Sequence, residues 1–161
     1  MRRPLPDIAP HFVEMAHRIG MGIAATVDHA GRPRTRVVQP VWEWDAGELT
    51  GWLSSVTTSP KYAHLVAAPV LSVTYWNPEQ DTCTADCAVD LVEDLETKAA
   101  TWERFLATPP PAGFDPAIHP EWDAPSSPTF GVIRLRPTWL RVVPGTLMTE
   151  GDGEVWTWRS A

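Results

Sequence analysis

The chain has 161 residues, a length that suits one compact domain spanning residues 1–161 and burying roughly 70% of its unfolded surface. Hydrophobic residues make up 43%, which excludes general disorder. The net charge of -7, from 13 Lys+Arg against 20 Asp+Glu, argues against a nucleic-acid partner, which would need a broad basic face.

In chain order, "MRRPLPDIAP" has two arginines but no apolar core of a signal peptide. No apolar run is long enough to span a bilayer, so the reading is cytoplasmic, without a membrane partner. Pro10 to Arg18 predicts a short helix, with Phe12, Met15 and Ala16 at helical spacing and Gly20 as the stop. Gly22 to Asp28 is a small-residue strand, and "DHAGRP" is a turn. "RTRVVQPVWEW", Arg34 to Trp44, reads as one long strand with Pro40 at an edge or bulge. Asp45 to Gly47 fits a hairpin loop into "ELTGWLSS". Ser59 as N-cap and Pro60 at the first helical position open a short helix that Pro69 ends.

"VLSVTYW" and "TCTADCAVDLVED" are further strands, and "LETKAATWERFLA" is an amphipathic helix. The proline-rich segment 108–128 predicts an ordered loop or flap. "FGVIRLRPTWLRVVP" is a late strand interrupted at Pro137, and "GEVWTWRS" is the last strand. The fold expected is mainly β with flanking helices, antiparallel strands forming a small barrel that leaves few open edges. Cys83 and Cys87 lie about 13 Å apart if they share a strand, too far for a disulfide. Most of the nine tryptophans belong to a core or an interface.

A basic island breaks the acidic background. Arg32, Arg34 and Arg36 crowd into "GRPRTRVVQP", and Ser55, Thr57, Thr58, Ser59 and Lys61 follow in "LSSVTTSPKYAHL". Hydroxyls, cations and the free N–H groups of a helix start are what a phosphate monoester requires. Each charge-assisted hydrogen bond adds on the order of 1.5–3 kcal/mol. Ordinary capping and solvated charge are the alternative, since no glycine-rich phosphate loop accompanies these residues. Pairing of the Arg36 strand with the Leu49–Ser55 strand through the hairpin is the expected way to bring them together. The five histidines are scattered without metal-ligand spacing, so no metal site is expected. No nucleophile elbow is present, and no catalytic side chain is nominated.

The order of "GIAATVDHAGRPRTRVVQPVW", "GELTGWLSSVTTSPKYAHLVAAPVLSVTYW" and "ADCAVDLVED" resembles the FMN-binding split-barrel family, also called pyridoxamine 5'-phosphate oxidase-like. The nearest subgroup is the general-stress-protein type, and the resemblance runs from about Ile8 to Val143. It implies a six-stranded antiparallel split β-barrel and a homodimer with flavin sites at its interface. It implies that Arg36, Val37, Val38 and Gln39 line the cofactor, that Ser55, Thr58, Ser59 and Lys61 hold its phosphate, and that Thr82 reaches the site from the other subunit. Trp76 and Trp139 are candidates for closing the ring site, with core or dimer packing as their alternative role.

Pro60 replaces a phosphate-binding arginine of the oxidase, Cys87 replaces a glycine, and the oxidase's C-terminal substrate pattern is absent. The function implied is an FMN-dependent oxidoreductase acting on a small molecule. The alternatives are a reductase using a deazaflavin coenzyme, whose longer tail Arg18 or Arg32 would serve, and a non-catalytic flavin or haem carrier.

Overall fold

Gln39 and Pro40 decide how the sheet is wound. The computed structural model describes residues 1–161. It begins with helix α1 (Leu5–Ile19) and strands β1 (Gly22–Val27), β2 (Pro33–Val38), β3 (Val41–Asp45) and β4 (Glu48–Val56). Helix α2 (Pro60–Ala67), strands β5 (Val70–Trp76) and β6 (Thr82–Val92), and helix α3 (Leu95–Ala107) follow. Strand β7 (Phe130–Val143), the short α4 (Thr146–Thr149) and β8 (Trp156–Arg159) complete the chain.

The strands form one eight-stranded antiparallel sheet in the order β2-β1-β5-β6-β7-β4-β3, with β8 paired to β7. Strands β2 and β3 are therefore its two outer members, yet only Gln39 and Pro40 separate them in sequence. Each residue spans at most about 3.6 Å, so the two edges must meet at this corner and the sheet must curl. It curls without closing. The expected six-stranded barrel is thus corrected to an open, barrel-like sheet of eight strands.

The same corner corrects the single long strand expected from Arg34 to Trp44. Pro40 has no N–H for a ladder, and the chain crosses there from one edge of the sheet to the other. Pro137 gives the opposite result. Strand β7 runs through it, because β7 itself bulges beside the proline: Asp86 pairs with Trp139 and Cys87 with Pro137, leaving Thr138 as the extra residue. The Thr138 hydroxyl donates to the Asp86 carbonyl at 3.1 Å beside that bulge.

Helix α1 begins at Leu5, earlier than expected, and contains Pro10 on an exposed turn. Its buried face is Ile8, Ala9, Phe12, Met15 and Ala16, a spacing that keeps one stripe toward the sheet. Phe12 meets the Trp42 ring edge-on at 4.9 Å, and the Trp42 indole N–H donates to the Tyr75 hydroxyl at 2.8 Å. Gly51 pairs with Trp42 across β3 and β4, and a Cβ there would stand 2.6 Å from the indole. A second cluster under α3 and the proline-rich segment contains Trp52, Trp102, Phe105, Trp122 and Phe130.

Trp42 and Trp52 are therefore already buried within one chain and have no surface to offer a partner. Cys83 and Cys87 are free thiols on the inner face of β6, and burial pushes both well above the ordinary thiol range. No helix is long and apolar enough to cross a membrane.

His17 ties α1 to the sheet edge: its Nε2 accepts from the Trp42 backbone N–H at 2.9 Å, and burial lowers its pKa. The proton it would gain at low pH falls on the nitrogen already accepting this bond. A histidine whose folded pKa lies below its unfolded value contributes stability that is present above that unfolded value, 6.5, and is lost as pH falls below it. Thermal unfolding should therefore occur at a lower temperature at pH 5.5 than at pH 7.5, and His17→Gln should flatten part of that slope. An identical slope in the variant would show that another group is responsible.

Candidate functional site

The sequence around the end of β4 builds one wall of a cleft. Ser55 closes the strand in a buried position, and Thr57 and Thr58 make the turn. Ser59 caps α2, its hydroxyl accepting from the Tyr62 N–H at 3.3 Å and lying 3.1 Å from the Ser55 hydroxyl. Pro60 follows with no N–H to satisfy, and Lys61 projects from the first turn. Free N–H groups and a positive dipole end favour an anion at such a turn.

The other wall comes from β2. This strand pairs with β1, Arg36 opposite Ala24, and not with β4 as the hairpin reading required. The convergence is nevertheless reached, because α2 packs on both β1 and β4. Arg36, Ser55, Val56, Ser59, Pro60 and Lys61 line a cleft of about 430 Å³.

No carboxylate lines this cleft, and neither Arg36 nor Lys61 takes part in any ion pair. Burial, and then the charge of Arg36, brings the Lys61 pKa down to about 8. Burial also lowers that of Arg36. Two partly desolvated cations that repel each other form a site whose charge is completed by an anion.

The rest of the basic island shares one carboxylate, which offsets part of its charge. Asp28, buried at the end of β1, accepts from the Arg32 Nε at 3.2 Å and the Arg34 Nε at 3.0 Å. Its other oxygen accepts the backbone N–H groups of Ala30 and Arg32, both at 2.9 Å. The Arg32 backbone bond foremost, with these other bonds, holds the Asp28 carboxyl well below the ordinary carboxylate range. Arg32 and Arg34 thus stay exposed at the turn and the strand edge while sharing one buried carboxylate. A second, more polar cleft of about 580 Å³ adjoins the first, sharing Arg36 and Pro60 and adding Asp28, His29, Arg32, Arg34 and His64.

The other predicted residues scatter. Thr58 is exposed in the turn beside the cleft without lining it. Val37 is exposed on the outer face of the sheet, while the Val38 side chain is buried in the core. Gln39 donates its side-chain amide to the carbonyls of Pro111 at 2.8 Å and Ala112 at 3.2 Å, and so anchors the proline-rich segment. Thr82 and Trp76 pair with each other far from the phosphate cleft, at the Val143 end of β7, whereas Ser55 pairs at its Gly131 end. That separation is roughly 40 Å of extended strand. Trp139 lies on the same outer face as Thr82, opposite Asp86.

Two contributors escaped the sequence reading. Thr26 is 1% exposed, and its hydroxyl accepts from Arg36 Nη1 at 2.5 Å. The same hydroxyl lies 3.1 Å from His64 Nδ1. The signal for Thr26 was present: in "GIAATV" it falls at the inward parity of Gly22 and Ala24, a polar residue where the alternation calls for an apolar one.

No protein-family model matches the chain, and no curated protein sequence matches it. Solved structures do. One from Clostridium acetobutylicum, related to general stress protein 26 of Bacillus subtilis and assigned to the pyridoxinephosphate oxidase family, superposes with a TM-score of 0.68 at 11% identity over 95% of this chain and 94% of its own. A pyridoxamine 5'-phosphate oxidase-related, FMN-binding protein from Nostoc punctiforme gives 0.64 at 17% identity, over 99% of this chain and 97% of its own. An F420 reductase gives 0.59 at 20% identity, over 79% and 93%.

The fold is that of the pyridoxamine 5'-phosphate oxidase-like proteins. Within this fold the cation pair is the feature of the chain that asks for a ligand. Arg36→Ala should raise the Lys61 pKa from about 8 part of the way back toward 10.5, because Arg36 is its second perturbing cause and burial remains. The pH dependence of Lys61 acylation, read by mass spectrometry, measures this. An unmoved midpoint would mean that the two cations do not share one cleft.

Proposed function

We propose that the protein is an FMN-binding oxidoreductase acting on a small molecule, and that its cofactor phosphate sits between Arg36 and Lys61. One observation carries the reading: an otherwise acidic chain leaves these two partly desolvated cations without a carboxylate, next to the hydroxyls of Ser55 and Ser59 and the start of α2. The donor set fits a phosphate monoester. The Arg36 guanidinium is a planar fork that engages two oxygens in fixed geometry, and Lys61 adds a compact charge. Ser59 is held by its capping bond, which presents it at the helix start in a single orientation.

When bound, FMN supplies the redox chemistry itself. Arg36, Lys61 and the Ser59 hydroxyl would hold its phosphate and balance its charge. No side chain near the cleft is assigned as acid or base. Arg36→Ala should weaken FMN binding by about 1.5–3 kcal/mol, the scale of a charge-assisted hydrogen bond. Riboflavin, which lacks the phosphate, should bind the variant and the parent alike. Equal losses for both ligands would place Arg36 under the ring or in the fold and reject the phosphate role.

A deazaflavin coenzyme with a longer acidic tail is the second reading, and the adjoining polar cleft favours it. Arg32 borders that cleft, as the longer tail would require. Arg18 borders neither cleft and pairs with Glu14 and Asp81 instead. Parallel titrations with FMN and the deazaflavin, followed by absorption, separate the two readings.

The same proposal has the chain working as a homodimer. Ile23, Val37, Val70 and Trp76 lie on one outer face of β2, β1 and β5, and each is at least 50% exposed. A second copy covering this face would also bring Thr82, Trp76 and Trp139 toward its partner's cofactor. Sedimentation at tens of micromolar, well above the dissociation constant of a stable dimer, should give twice the chain mass. Val37→Glu should shift it toward the monomer. A wild-type monomer at that concentration would reject the dimer.

A further inference from the structure

Thr26 carries a single hydroxyl proton, and its two neighbours dictate where that proton goes. The Arg36 guanidinium has only donors, so the Thr26 oxygen accepts from it. The one other partner within reach is His64 Nδ1 at 3.1 Å. Thr26 is buried on the inner side of β1, so water does not take up an unpaired proton there. A His64 carrying its proton on Nδ1 would leave the Thr26 proton with no acceptor, at a cost that buried hydroxyls rarely bear. The arrangement that satisfies all three groups is a directed chain: Arg36 donates to Thr26, and Thr26 donates to His64 Nδ1. His64 then holds its proton on Nε2.

We propose that Thr26 is the positioning residue of the phosphate cleft: its hydroxyl aims the Arg36 guanidinium and at the same time sets His64 as an Nε2–H donor facing the adjoining cleft. The inference rests on the reading that Arg36 holds a phosphate, but it assigns roles to Thr26 and His64 that this reading does not require. Its geometry follows from the fold. Strand β1 places Thr26 beside the Arg36 strand, and α2 packs against β1 so that His64 faces the same hydroxyl. Without Thr26, a long arginine at the cleft edge regains rotamers that its ligand would have to freeze out. His64 borders the second cleft beside Arg32 and Arg34, whose charge Asp28 already offsets in part. In that cleft its Nε2–H is a donor available to whatever extends from the phosphate.

The test uses the full-length chain with FMN, riboflavin and inorganic phosphate as probes, and Thr26→Val, Thr26→Ser and Arg36→Ala as variants. Thr26→Val keeps the shape and the strand preference while removing the hydroxyl. It should weaken FMN and inorganic phosphate roughly tenfold, the scale of one hydrogen bond to a charged group, and leave riboflavin unchanged. Thr26→Ser should restore both affinities. Nitrogen-15 NMR of the ligand-free wild-type chain should show His64 protonated at Nε2 with Nδ1 as acceptor, and Thr26→Val should abolish that preference. If Arg36→Ala weakens FMN and Thr26→Val does not, the positioning role is wrong while the phosphate reading stands. If Arg36→Ala leaves FMN untouched, the phosphate reading falls, and the inference falls with it as a device for that ligand. An Nδ1-protonated His64 in the wild-type chain overturns the relay whatever the ligand data show, including if Thr26→Val fails to fold.

Discussion

The two-residue passage from β2 to β3 is the constraint on which the structure turns. Strands consecutive in sequence stand at opposite edges of the sheet, and Gln39 with Pro40 must bridge them. A proline is the residue for such a corner, because it removes the N–H that would prolong either ladder. Curling follows, and with it the placement of Arg36. Had β2 continued into β3, Arg36 would lie beside β4 in a flat hairpin. It lies instead against β1, facing the start of α2 across a cleft. Gln39 uses the same corner to hold the proline-rich segment through Pro111 and Ala112.

Charge distribution explains why this cleft stands out in an acidic molecule. Most of the other arginines are gathered onto carboxylates. Asp28 takes Arg32 and Arg34, Asp90 takes Arg134 and Arg136, and Arg18 bridges Glu14 and Asp81. The exposed pairs among them add little stability, but all of them reduce local fields. Arg36 and Lys61 are left unquenched where burial already disfavours their charge. An anion placed between them gains more from these partly desolvated surroundings than it would at the open surface.

The sequence made the strands, the capped α2 and the phosphate residues legible because each rests on local chemistry. Small and β-branched residues mark β1 and β5, and Ser59-Pro60 marks a helix start. The chemistry expected of Ser55, Ser59, Lys61 and Arg36 drew attention to four side chains that do share a cleft. What could not be read was anything set by distant pairing. Nothing local distinguishes a proline beside a bulge inside a strand from a proline that ends one, yet Pro40 breaks the strand and Pro137 is carried by a bulge at Thr138 of β7. The partner of β2 was taken from the nearest hairpin, whereas the fold supplies β1. That Asp28 collects Arg32 and Arg34 depends on a turn whose geometry only the fold reveals.

A structure of the FMN complex tests the central claim most directly. The account predicts the cofactor phosphate within hydrogen-bonding distance of the Arg36 guanidinium, the Lys61 ammonium and the Ser59 hydroxyl, with no carboxylate in contact. A phosphate bound elsewhere, with Arg36 and Lys61 still unpartnered, would contradict it.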